Sequence, residues 1–285
     1  MKDYVILTAA RNEGSYIEHT LKSVVAQTHL PLRWIIVSDG STDNTVALVQ
    51  KYAEQYDFIE LIERHQEETR SFGSKARAIN TAYRRVAALS HCFVAVLDAD
   101  ISFESDYYAR LLVEFEKDPQ LGLSGGFVLD IIDKEAIRRQ LSVNWSVRGP
   151  VQTFRRECFE DIGGYRVLKY GGIDAVAELM SRKAGWKVRT VPELYAKHLR
   201  ATGTETQNFI KAHFKVGKQN YVNGYWSVFM FLRCLKRLPQ TPVIMGATAM
   251  LAGYFAAWIA REPYAIPTEL IKFLRNEQKR RLLKS

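Results

Sequence analysis

YVILTAARNE (residues 4–13), WIIVSDGSTDNT (34–45) and FVAVLDAD (93–100) are apolar runs that each end in carboxylates. A fourth run, FIELI (58–62), lies between the second and third. The spacers have a different period. Ile17, Leu21, Val24 and Val25 fall at helical spacing, and so do Val46, Val49 and Tyr52–Ala53. Short strands buried on both faces and alternating with helices predict an α/β fold, a mostly parallel sheet flanked by helices. In such sheets ligands bind beyond the carboxyl ends of the strands.

The residues at those ends set the chemistry. No GxGxxG follows the first strand and no GxxxxGK[ST] occurs anywhere, which disfavours dinucleotide and P-loop sites. Asp98 and Asp100, two apart around Ala99, form either a pair of hard oxygens for Mg²⁺ or Mn²⁺ or a solvated acidic turn. In the second end, Ser41 or Thr42 is expected to cap a helix over Thr45–Lys51, with Asp43 favouring its positive end. Asp39 is one residue too early to cap. It could accept the imide N–H of a uracil ring or close a structural turn. Lys75 and Arg77 follow the loop Ser71-Phe72-Gly73-Ser74 and either meet a diphosphate or form a solvated basic face.

Taken together, TAARNE, SVVAQT, IIVSDGSTDNT, GSKARAIN, LDAD, VQTFRRECFEDIGGY and GGIDAVAELMSRKAGWKVRTVPELYAKHLR resemble the family 2 glycosyltransferases, in this order over residues 1 to about 200. Each segment alone is weak, and the ordered set is specific. The resemblance implies a GT-A nucleotide-sugar fold and an inverting transfer. Thr8, Ala9, Ala10, Arg11, Glu13 and Asp39 would then line the donor pocket, with Lys75 at the diphosphate and Asp98 and Ala99 at the ribose or metal. Asp100, Asp98 and His198 would take Mg²⁺ or Mn²⁺, and Asp174 would be the catalytic base. The family usually has Glu-Asp where this chain has Ile173-Asp174, and the processive synthases' Gln-x-x-Arg-Trp does not follow His198.

The implied donor is a nucleotide sugar, by preference a UDP-sugar, and the acceptor a hydroxyl of a saccharide or lipid-linked saccharide. The nearest rival is a synthase like those making dolichol-phosphate mannose, with a polyprenyl-phosphate acceptor. That acceptor is already ionised and needs no base, so Asp174 weighs against it. A sugar-nucleotide binder without catalysis would not need both the Asp pair and Asp174.

The 285 residues are 47% hydrophobic and 25% charged, ordinary globular usage. Three cysteines, Cys92, Cys158 and Cys234, are too scattered for a disulfide framework or a zinc site. The basic excess is local. Residues 1–199 hold 26 Lys and Arg against 27 Asp and Glu, whereas residues 200–285 hold 14 against four. Within that basic third, Leu238–Ala260 carries no charge, and Val243–Ala260 is apolar enough to suggest a membrane attachment, a marginal single span or a helical subdomain. The expected division is a glycosyltransferase domain over 1–204 and a helical extension over 205–285 that meets anionic lipid. No signal-peptide pattern opens the sequence, so the cytoplasmic side of the inner membrane is the expected location. Nucleic acid is disfavoured, because 23 uncharged residues make a poor phosphate track.

Overall fold

The computed structural model describes residues 2–64, 72–131, 137–139, 144–200, 209–238 and 244–283. Ser71, Val243 and the expected boundary at residues 204 and 205 lie outside the described residues. The chain divides into two compact units, one of Met1–Val167 with Ile173–Ala201, the other of Leu168–Gly172 with Thr202–Ser285.

The first unit is built on strands β1 (Tyr4–Ala10), β2 (Arg33–Asp39), β3 (Ile59–Arg64), β4 (Phe93–Leu97), β5 (Ile101–Phe103), β6 (Leu121–Ile131), β7 (Ile137–Arg139), β8 (Val151–Arg155) and β9 (Lys187–His198). Their order in the sheet is β3-β2-β1-β4-β8-β6-β9-β5, with β7 on β6. The pairs β1–β2, β2–β3, β1–β4 and β6–β9 are parallel. The pairs β4–β8, β6–β8, β5–β9 and β6–β7 are antiparallel. The longest ladders are thus parallel, as the sequence leads one to expect, and the antiparallel pairs are shorter additions. The β3-β2-β1-β4 part of the sheet is the one the first hundred residues encode.

Burial explains why these runs are strands. Tyr4 to Leu7 and Trp34 to Val37 are fully buried, which only a strand covered on both faces allows. Helix α1 (Ile17–Val25) buries Ile17, Thr20, Leu21 and Val24 on one side. The Thr20 hydroxyl donates to the Ala99 carbonyl at 2.8 Å, tying this helix to the end of β4. Helices α2 (Thr45–Ala53), α3 (Phe72–Val86), α4 (Tyr107–Lys117), α5 (Arg156–Asp161) and α6 (Ile173–Lys183) complete the unit. Helix α3 already begins at Phe72, so Lys75 sits in its first turn and not behind a four-residue loop.

The second unit holds α7 (Phe209–Val222), α8 (Ser227–Arg237), α9 (Met245–Ile259) and α10 (Thr268–Leu283). Its core gathers Tyr221, Met230, Cys234, Met250 and Tyr254. Helices α7 and α9 touch backbone to backbone. A Cβ on Gly217 would stand 1.9 Å from the Met250 carbonyl oxygen, and one on Gly253 would stand 2.0 Å from that of Phe214. The apolar segment thus becomes α9, 15 residues and about 22 Å long. Among the described residues no helix is long and apolar enough to cross a membrane.

Candidate functional site

Strand register assembles the acidic site. On β9, His198 lies opposite Asp130 of β6 on one side and Ile101 of β5 on the other. Its Nδ1 is 2.9 Å from Asp130 Oδ1 and its Nε2 is 3.2 Å from Asp100 Oδ2. The ladder continues one residue further, where the Leu199 N–H donates to the Asp100 carbonyl at 2.9 Å. Arg200 then pairs with Glu13 from the end of β1, lies 3.5 Å from Asp100 and rests 5.1 Å from the Tyr16 ring centroid. From α3, Lys75 Nζ reaches Asp98 Oδ1 at 2.5 Å.

The charges hold one another in their ionised forms. Burial pulls the His198 imidazole down, yet Asp100 and Asp130 push its pKa up to about 9. The two carboxylates thus favour the charged ring, which lies between them. Burial raises the Asp100 carboxyl, but His198, Arg200 and Lys75 overcome that and hold it below its ordinary pKa. Burial likewise lowers the Lys75 ammonium, and Asp98, followed by Asp174 and Asp100, more than offsets the effect, so its pKa is raised. The Lys75 side chain keeps 32% exposure, so an incoming anion can reach it.

Asp174 opens α6, in the helix's first turn. It packs closely against the Gly149 backbone. A Cβ on Gly149 would stand 2.7 Å from Asp174 Oδ2. One turn on, buried Glu178 accepts hydrogen bonds from the Ser146 hydroxyl at 2.9 Å and the Val147 N–H at 3.1 Å, and it pairs with Arg182. Gln152 donates to the Val147 carbonyl at 3.2 Å and accepts from the Tyr165 hydroxyl at 2.5 Å. The segment facing Asp174 is therefore fixed from two sides.

Asp39 ends β2 directly opposite Arg64 of β3, with Arg64 Nη1 3.7 Å from its Oδ1. Neither Ser41 nor Thr42 caps α2. Asn44 holds the cap position without a side-chain bond, and Asp43 accepts the Thr45 N–H at 3.0 Å. The loop is instead stitched to the end of β1. Ser41 accepts from the Asn12 N–H, Asp43 from the Gly14 N–H, and Asn12 from the Thr42 N–H.

The other expected donor residues divide by exposure. Ala9 and Arg11 are half-buried at the rim. Thr8 is fully buried, and its hydroxyl accepts the Trp34 indole N–H at 3.0 Å. Ala10 and Ala99 belong to the hydrophobic core. These three can meet a ligand only through backbone. Sequence reasoning missed Asp130, Arg200 and Glu178. Arg200 had a signal, since it sits two residues beyond His198 and an extended chain turns both to one side. Among the described residues no group of three His, Cys, Asp or Glu side chains is arranged to hold a metal ion by itself.

Comparisons with known proteins agree with the fold. A family model described as glycosyl transferase family 2 matches residues 5–172. The poly-beta-1,6-N-acetyl-D-glucosamine synthase of Staphylococcus aureus (strain COL) is 34% identical over 126 residues, 44% of this chain and 28% of the relative. That of Staphylococcus epidermidis is 31% identical over 122 residues, 42% of this chain and 27% of the relative. The chain thus covers under a third of the length of these curated relatives. Among solved structures, mannosyltransferase PcManGT from Pyrobaculum calidifontis, in complex with GDP-Man and Mn²⁺, superimposes with a TM-score of 0.57 at 18% identity. That match covers 100% of this chain and 83% of the other. S. aureus TarS 1–349 in complex with UDP-GlcNAc gives 0.54 at 14%, covering 90% and 73%. At those identities the structures speak to the fold alone. The family match spans more than half of the 285 residues, and the chain belongs to glycosyl transferase family 2.

Proposed function

We propose that this chain transfers a sugar from a UDP-sugar to a hydroxyl of a saccharide or lipid-linked saccharide, inverting the anomeric carbon. The observation that carries the reading is the position of Lys75. One ammonium is held by the strand-end carboxylate Asp98 and also feels Asp174 on α6 and Asp100. A cation for the leaving diphosphate and a carboxylate for the acceptor proton therefore share one site.

In this mechanism Asp174 accepts the proton of the acceptor hydroxyl as that oxygen bonds to the anomeric carbon. The bond from that carbon to the diphosphate oxygen breaks, and its electron pair leaves with UDP. Lys75 neutralises the charge that builds there. Asp98 and Asp100 offer hard oxygens that suit Mg²⁺ or Mn²⁺ held by one or two carboxylates plus the donor's phosphates, a mode that needs no three-residue cage. When bound, such an ion neutralises developing charge on the diphosphate. Asp39 supports uridine as the base, through a carboxylate that can accept the imide N–H. A polyprenyl-phosphate acceptor is disfavoured, since it would leave Asp174 without a proton to take.

The test is transfer by the full chain from UDP-sugars and from GDP-mannose to saccharide acceptors, with NMR assignment of the product's anomer. A UDP-sugar should be consumed and the product should have the opposite anomeric configuration. Retention, or use of GDP-mannose alone, would overturn the proposal.

A further inference from the structure

Helix α9 carries no charged residue along its 15 positions. One side packs against α7 around Gly253. The opposite side is also apolar, with Met245, Thr248, Ala252, Phe255 and Ile259 recurring at i, i+3, i+7, i+10 and i+14. It stands in the open, with Met245 53%, Phe255 40% and Ile259 73% exposed, and Trp258 beside them at 59%. A water-facing helix normally carries polar residues on that side.

Helix α8 repeats the pattern. Met230 and Cys234 point into the core, while Val228, Phe231 and Leu235, at i, i+3 and i+7, are 44–49% exposed. The two helices follow one another closely. The Ile244 N–H donates to the Leu238 carbonyl at 3.0 Å, so the end of α8 abuts the start of α9. Single exposed apolar residues are ordinary, but two successive helices that each expose an apolar stripe call for a cover.

Charge selects the cover. Arg233, Lys236 and Arg237 flank the α8 stripe and Arg261 follows the α9 stripe, within a segment holding 14 Lys and Arg against four Asp and Glu. A second copy of the chain would bring the same positive charge to the same face and be repelled. Anionic lipid matches both features, because cations attract its headgroups and apolar stripes enter the acyl boundary. At about 22 Å, α9 is shorter than the roughly 30 Å hydrocarbon core and suits lying along the surface. We infer that the outward faces of α8 and α9 form a docking surface for an anionic lipid bilayer, with both helices lying in its interface. This surface does not depend on which sugar or acceptor the chain uses.

The experiment is flotation of the full chain with phosphatidylcholine vesicles, with and without phosphatidylglycerol. The chain should float with the anionic vesicles and stay bound through a high-salt wash. Phe231→Asp and Trp258→Asp should each lower partitioning at least about tenfold, the loss of one buried aromatic. Both side chains are about half exposed, so melting temperatures should be unchanged and should verify that the variants fold. Failure of the wild-type chain to float would overturn the inference, and so would equal flotation of the variants. Sedimentation without lipid should give a monomer. A dimer dissociated by Phe231→Asp would assign the face to a second copy and overturn it as well.

Discussion

Lys75 Nζ stands 2.5 Å from Asp98 Oδ1, a cation in the first turn of a helix, where the helix dipole opposes it. The carboxylates, not the helix, hold it there. The groups that raise its pKa, Asp98, Asp174 and Asp100, are all acidic.

Removing that cation should hurt donor binding first. If Lys75 meets the diphosphate as proposed, Lys75→Gln should cost a charge-assisted contact of about 1.5–3 kcal/mol, or roughly 10- to 150-fold in affinity. Calorimetry with UDP measures it. Unchanged affinity would mean that Lys75 serves only to neutralise Asp98.

Asp174→Asn keeps the shape of the side chain and deletes its basicity. Turnover should fall by about two to four orders of magnitude while the donor KM stays put. Transfer near the wild-type rate would show an acceptor that arrives ionised, as a polyprenyl phosphate does.

If Asp98 and Asp100 hold an ion together with the donor's phosphates, as proposed, chelation should stop the reaction and Mn²⁺ should restore it. Asp100→Ala should be inactive with or without added Mn²⁺. Full transfer in EDTA would return the Asp98–Asp100 pair to an acidic turn satisfied by Lys75, His198 and Arg200.

Asp39→Ala tests the base. If the carboxylate accepts the uracil imide proton, UDP affinity should drop by about 1.5–3 kcal/mol. GDP affinity should drop less. An equal loss for both nucleotides would point to the Arg64 partner and a general disturbance of the strand ends.

The sequence shows β1, β2 and β4 plainly because their residues are buried on both faces and leave unbroken apolar runs. It hides β9, which alternates buried and exposed positions and contains Pro192. The acidic cluster depends on that strand. The pairing of Arg200 with Glu13 spans 187 positions, and Asp130 meets His198 only through the β6–β9 register. Nothing local marks either partner, Glu13 or Asp130. The Ser41–Asp43 loop misleads for a related reason. Its polar side chains look like helix caps, but two of their bonds run across to the Asn12–Gly14 segment, which pins the loop to the end of β1.

Glu178 gives the last prediction, which concerns pH. Burial pushes its carboxyl above the ordinary value, and the Arg182 pair with the Ser146 and Val147 hydrogen bonds only partly counters this. A carboxyl raised by folding holds its proton longer in the native state. Its favourable contribution is therefore complete below the unfolded value of about 4.3 and is lost as pH rises through the higher folded value. Glu178→Gln stays neutral throughout and its side-chain oxygen can still accept from Ser146 and Val147. The variant's melting temperature should accordingly gain on the wild type between pH 4 and pH 7 (roughly one unfolded pKa to neutrality). Parallel curves would mean that Arg182 compensates the burial completely. Transfer activity at neutral pH should change by less than about tenfold, since Glu178 supports the segment facing Asp174 without exchanging a proton with the acceptor.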